Sequence, residues 1–176
     1  MAEIFPDKPL CAFRRDKNLR DQLVRAKVRD TVQPSGTFAC GRSRCSTCKF
    51  VCPSVKIKGP SGTHTVLDTF TCTTRGVVYA IRCRLCDLLY VGQTGQRLAD
   101  RFAQHLRSIR RDDGQPVLRH FNTPRHGGAT VDLELCGLAL VTTSAPRRIT
   151  VESMLIHKLG TLVPSGLNTR LDVCVV

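Results

Sequence analysis

No stretch of this sequence approaches the ~20 consecutive apolar residues that a membrane-spanning helix needs. Residues 1–15 contain Asp, Lys, Pro and two Arg, with no apolar run of the length an export signal carries. Neither membrane insertion nor export is therefore expected. Aromatic residues are scarce, 5% of the chain with no tryptophan. Acidic residues are also few: 14 Asp and Glu stand against 27 Lys and Arg, a formal charge of +13. A balance this positive draws the chain to polyanions: nucleic acid, an anionic membrane or an acidic protein. A merely solvated basic surface would explain the same charge, but Arg14-Arg15, Arg107 with Arg110-Arg111, and Arg147-Arg148 recur along the chain. That recurrence favours a distributed phosphate-contacting surface.

What the chain does have is cysteine, ten in all. In a reducing compartment, Cys-x-x-Cys pairs bind metal more readily than they form disulfides. The 176 residues suit one ordinary domain with an appended module. Three zones are expected. Residues 1–35 form a basic N-terminal helix and linker, with Leu19, Leu23 and Ala26 at helical spacing and a turn signal at Gln33-Pro34-Ser35-Gly36. Residues 36–73 are rich in Cys, Gly, Ser and Thr with little periodicity, so a metal is expected to order them. Residues 74–176 read as an α/β domain. Val77-Val78-Tyr79-Ala80-Ile81 and Leu88-Leu89-Tyr90-Val91 are two strands of an antiparallel hairpin. Leu98, Phe102, Leu106 and Ile109 lie along a helix, 131–141 is a third strand with Leu133 and Leu135 inward, and Pro146 opens a second helix. The order β-β-α-β-α predicts a small sandwich, a short antiparallel sheet flanked by helices.

Two metal sites are expected. In the upstream one, Cys40, Cys45, Cys48 and Cys72 would close on a tetrahedral zinc, with Cys52 and His64 as alternatives for the fourth ligand. In the other, the Cys83-x2-Cys86 knuckle lies at the hairpin turn, and His120 and His126 flank Asn122-Thr123-Pro124. Two thiolates and two imidazoles leave no open position, so both sites read as structural. Cys11, Cys136 and Cys174 have no partner spacing and read as free thiols, Cys136 in the core.

Val77-Val78-Tyr79, then Tyr90-Val91-Gly92-Gln93-Thr94, then the helix carrying Arg101 and His105 resemble the core of the GIY-YIG nucleases. More narrowly, the Cys pair between the tyrosine segments and the His pair after the helix resemble the endonuclease domain of Penelope-like retroelements. Val77 and Val78 replace the glycine and isoleucine of the family's first motif. The resemblance implies a GIY-YIG nuclease fold with an N-terminal zinc-binding module, and a metal-dependent DNA endonuclease, or nickase, that primes reverse transcription. Tyr79 and Tyr90 would line the site, one of them positioning or deprotonating a water. Arg101 would clamp the phosphate, His105 assist proton transfer, Glu152 hold Mg²⁺ or Mn²⁺, and Asn168 support the site. Gly92 would let backbone approach closely. Target DNA is the implied partner, with RNA and a reverse transcriptase in cis or in trans as others, and the nucleus, or the cytoplasm before nuclear entry, as the location. The chain looks like a C-terminal fragment or a stand-alone relative of such an element. The competing expectation is a zinc-dependent nucleic-acid-binding module that has lost catalysis.

Overall fold

The computed structural model describes residues 34–111, 116–126 and 132–169. The helix expected near residues 16–28, with Cys11 and Cys174, lies outside them. At the centre runs β5 (Arg75–Cys83), whose residues from Gly76 to Ile81 are all buried. It is flanked by β6 (Leu89–Arg97) and β7 (Leu133–Leu140) in a three-stranded antiparallel sheet of order β6-β5-β7. The β-branched run Val77-Val78 and Ile81 favours this central position, where both faces are covered. In the β6 pairing, Tyr79 stands opposite Gly92 and Ile81 opposite Tyr90. Side chains on one face recur every second residue, so all four share that face. On the β7 side the register slips between Val78 and Tyr79. An irregularity of this kind re-aims the side chain beside it.

Helix α1 (Leu98–Arg111) leaves β6 without a loop. Its first turn is tied down by Leu98 N–H to Thr74 O and Ala99 N–H to Cys72 O, both at 2.9 Å. Leu98, Phe102, His105 and Ile109 form its buried face, spaced as an amphipathic helix requires. A short helix, α2 (Pro116–Phe121), follows and carries His120. It is an addition to the expected element order. Six residues are too few for apolar periodicity to register. Helix α3 (Ala145–Leu159) starts as expected, with Ser144 accepting a hydrogen bond from Arg147 N–H and Pro146 in its first turn. It ends at Gly160, whose φ of 67° suits the left-handed cap. Leu155, Ile156 and Leu159 pack inward.

The cysteine-rich segment holds four short strands: β1 (Gly36–Phe38), β2 (Lys56–Lys58), β3 (Thr63–Thr65) and β4 (Thr69–Thr71). A 3₁₀ turn spans Cys48–Phe50. β1 pairs with β4 in parallel, and β2 with β3 antiparallel. The segment has little core of its own, but Phe50, Ile57, Val66 and Phe70 enter the same buried cluster as the sheet. Thr37 Oγ1 accepts from Gly137 N–H at 2.7 Å, fixing β1 on β7. Phe70 lies so close to Gly137 that any side chain there would run into its ring. Packing, and not a metal alone, therefore orders this segment. Among the described residues no helix is long and apolar enough to cross a membrane.

Candidate active site and metal clusters

Tyr79 is fully buried on β5, and α1 lies across its ring. Its hydroxyl accepts from Arg101 Nε at 3.1 Å and lies 2.7 Å from His105 Nε2. A phenol has one proton to give. Since Arg101 can only donate, that proton points to His105 Nε2, and the imidazole carries its own on Nδ1. The electrostatics agree. Burial, and then the Arg101 charge, lower His105 to a pKa of about 3, so it is a neutral acceptor. Burial, and then neighbouring Tyr90, push the Tyr79 hydroxyl far above its ordinary range, with Arg101 offsetting them only in part. Tyr79 is thus a protonated link between a fixed cation and a neutral base.

Tyr90 is half-buried, its ring edge-on to His105 with centroids 5.5 Å apart. Gly92 explains how two tyrosines fit on one strand face. A Cβ at that position would sit 2.8 Å from Tyr90 Cε1 and 2.9 Å from Tyr79 Oη. The close approach expected of Gly92 is therefore made by the two tyrosines themselves. Arg101 is steadied by a second bond, Nη1 to Gln104 Oε1 at 2.9 Å, and Gln104 in turn donates to Gln96 Oε1 at 3.0 Å. These glutamines were not foreseen, because an amide on a basic helix face carries no signal of its own.

Glu152, half-buried on α3, lies close enough for its charge to be felt at Tyr79. A carboxylate on the rim of such a site is a hard oxygen donor suited to Mg²⁺ or Mn²⁺, which keep several waters and bind few protein groups. One turn earlier, Arg148 reaches β6, with Nε 3.3 Å from Gln93 Oε1. Asn168, expected to support the site, does so through the backbone of β6. Its Oδ1 accepts from Val91 N–H at 2.9 Å and Thr161 Oγ1 at 2.8 Å, and its Nδ2 donates to Val91 O at 2.8 Å. All its hydrogen-bonding capacity toward β6 is spent on backbone, so it is a positioning residue that holds the strand between Tyr90 and Gly92.

The structure brings Cys83, Cys86, His120 and His126 together, with their ligand atoms all within 4.8 Å of one another. Cys86 Sγ is 3.3 Å and Cys83 Sγ 3.9 Å from His126 Nε2. A tetrahedral ion with bonds of about 2.3 Å to sulfur and 2.0–2.1 Å to nitrogen sets these atoms about 3.6 Å apart, midway between the two. His120 Nε2 is buried with no hydrogen-bond partner, a cost that metal ligation would remove. Asp132 Oδ2 lies 3.7 Å from His126 Nδ1, too far for a hydrogen bond, and that nitrogen has no hydrogen-bond partner. Cys40, Cys45, Cys48 and Cys72 form the second group, again within 4.8 Å. Cys40–Cys48 and Cys48–Cys72 sulfur distances are both 3.6 Å, against about 3.8 Å around a tetrahedral zinc. Both alternatives for the fourth ligand turn elsewhere. His64 Nε2 meets Leu138 O at 2.9 Å, and Cys52 interacts with the Cys136 thiol, which lowers it to about 6. Cys136 is a free thiol in the core as expected, and it interacts with the Cys52 thiol. Nothing in their spacing signalled that.

The family model of the GIY-YIG catalytic domain matches residues 75–122. That stretch contains β5, β6, α1 and α2, with Tyr79, Tyr90, Arg101 and His105. That match to a catalytic domain supports an enzyme, a DNA endonuclease. Two solved structures resemble it. One is the catalytic domain of intron endonuclease I-TevI in an alanine-substituted form, 20% identical with a TM-score of 0.49, covering 57% of this chain and 98% of that one. The other is the catalytic domain of homing endonuclease I-TevI, 19% identical with a TM-score of 0.46, covering 53% and 97%. No curated protein matches the chain. Within the matched segment, the sheet supplies both tyrosines and the helix supplies the arginine and the histidine.

Proposed function

We propose that this GIY-YIG domain is a divalent-metal-dependent DNA nickase of a Penelope-like retroelement, cutting target DNA so that the new 3′ hydroxyl primes reverse transcription. The observation that carries the reading is the Arg101–Tyr79–His105 chain, closed by hydrogen bonds of 3.1 and 2.7 Å within the matched segment. Hydrolysis makes a bond from water oxygen to phosphorus and breaks the bond from phosphorus to the 3′ oxygen, which takes up a proton. Tyr90, the less buried of the two tyrosines, orients the attacking water. Arg101, anchored on Tyr79 and Gln104, presents its fork to the phosphate, where a bidentate contact is strongest. Tyr79 keeps its proton, donated in a hydrogen bond to His105 Nε2, and so holds Arg101 without moving as charge develops, the preorganisation that makes electrostatic stabilisation effective. A Mg²⁺ or Mn²⁺ on Glu152 would supply Lewis-acid stabilisation of the phosphoryl oxygens and the leaving oxygen. Structural zinc in both cysteine clusters would brace the hairpin and the upstream lobe. Partners on this reading are target DNA, RNA, and a reverse transcriptase in cis or trans, and the place of action is the nucleus.

The test uses a labelled duplex incubated with the protein and Mg²⁺ or Mn²⁺, then a DNA polymerase and labelled nucleotides. One cut strand with an extendable 3′ end is expected. Uncut duplex with a folded, zinc-loaded protein would favour the catalytically inactive binding module, and cleavage leaving a blocked 3′ end would end the priming role.

A further inference from the structure

Outside the active site, two adjoining clefts run between the four-cysteine lobe and the outer side of α1. One, of about 370 Å³, is lined by Arg42, Arg44 and Arg97 beside Cys40, Cys45 and Cys72. The other, of about 320 Å³, is lined by Lys49, Arg107 and Arg110. They share Ser46 and Ala103, so they form one continuous path. All six basic residues are exposed. The one carboxylate on the path, Asp100, is taken by Arg97 at 2.7 and 3.0 Å. Among the described residues, no ion pair involves Arg42, Arg44, Lys49, Arg107 or Arg110. A divalent ion on four thiolates would carry two negative charges, yet the cations still exceed the negative charge along the path. The walls are also held together: Phe50 of the lobe packs on Phe102 of α1, ring centroids 5.0 Å apart.

We propose that this path is a phosphate track for duplex DNA flanking the cut, which makes the four-cysteine lobe part of the DNA-binding surface. The proposal rests on the nuclease reading for its choice of polyanion. Along α1, Arg110 lies nine residues beyond Arg101, about 14 Å at the helical rise. Nine residues are also about two and a half turns, so Arg110 points to the opposite side of α1 from Arg101, and the track takes phosphates that lie round the helix from the scissile one. Backbone contacts of this kind set register and affinity without reading sequence.

The experiment measures binding of a short fluorescent duplex at several salt concentrations, with every protein carrying Glu152→Ala so that no cutting intervenes. K49Q/R107Q/R110Q should lose at least tenfold in affinity, and its salt slope should fall by about 2.7, roughly 0.9 per cation removed. K56Q/K58Q/K158Q, with the same charge change on exposed lysines of β2 and α3, should change the slope by less than about one. Unchanged slopes in the cleft variant, or an equal loss in the control, overturn the proposal. So does tighter binding of an RNA duplex of the same sequence that the cleft variant abolishes, since the track would then serve RNA. Single substitutions R107Q and R110Q give the slope if the triple variant melts early. Because binding is read without cleavage, a protein that never cuts DNA would refute the nuclease reading and leave this result standing.

Discussion

Gly92→Ala puts one methyl group where the tyrosines meet, and the structure sets its consequence. The new Cβ would lie 2.8 Å from Tyr90 Cε1 and 2.9 Å from Tyr79 Oη. Carbon–carbon contact is comfortable at about 3.5–4.0 Å, so something must retreat by close to an ångström. Tyr79 has nowhere to go: it is 0% exposed and its hydroxyl is held by Arg101 and His105. Overpacking of this kind costs about 1–3 kcal/mol, and loosening the Tyr79–His105 bond adds about 1 kcal/mol. Relief of glycine's backbone entropy returns about 0.5–1 kcal/mol. The net expectation is a loss of about 1–3 kcal/mol, read by urea denaturation, with nicking slowed on the order of 10²-fold by misplacement of the reacting groups. Gly95 on the same strand is the internal comparison. There the Cβ meets only Arg148 Nη2 at 2.9 Å, the tip of a flexible side chain that can swing aside. Gly95→Ala should therefore leave stability within about 0.5 kcal/mol of the parent. If Gly92→Ala is as stable and as active as Gly95→Ala, the packing account of the two tyrosines is wrong.

Acid should weaken the fold through His105. Its folded pKa of about 3 lies below the ordinary 6.5, so the unfolded chain takes the proton first. The neutral ring's contribution is complete above about pH 6.5 and is lost as pH falls toward 3, on the order of 5 kcal/mol at most. Urea titrations of the parent should show this slope more steeply than those of His105→Gln, and identical slopes would refute it. Cys83→Ser or His120→Ala should remove about one zinc per chain and lower the melting temperature, because site closure and folding are linked. Normal melting with lost cleavage would contradict a structural role for that ion. Asn168→Ala strands both backbone groups of Val91 and the Thr161 hydroxyl, each costing about 1–3 kcal/mol if left unpaired. A drop in stability beyond about 3 kcal/mol is expected, and a drop under 1 kcal/mol would show that water replaces the side chain.

The elements nearest the site were readable because their signals are local. Val77 to Ile81 announce a buried strand, and Leu98, Phe102 and Ile109 a one-faced helix, within single stretches of chain. The cysteine clusters were readable because ligand spacing is local too, apart from Cys72 and the two histidines. What escaped depends on distant partners. The strands of the 36–73 segment have three residues each, too short for alternation to stand out, and Phe50 or Phe70 finds its core only when β7 arrives. The Cys52–Cys136 thiol interaction joins chain segments that meet only in the folded sheet. For Asn168 a supporting role was expected, but a sequence does not reveal that its partners are backbone atoms of β6. Likewise, helical spacing put Arg101 and His105 on one face but did not reveal that both converge on the single hydroxyl of Tyr79.

The most direct test of the central claim follows supercoiled plasmid with Mg²⁺ or Mn²⁺, comparing the parent with Glu152→Ala and Arg101→Ala. The account predicts open circles from the parent and at least a 10²-fold slower conversion by both variants at unchanged melting temperature, the loss expected when a group that stabilises transition-state charge is removed. Parent and variants converting plasmid at the same rate, or leaving it equally untouched while folded and zinc-loaded, would contradict it.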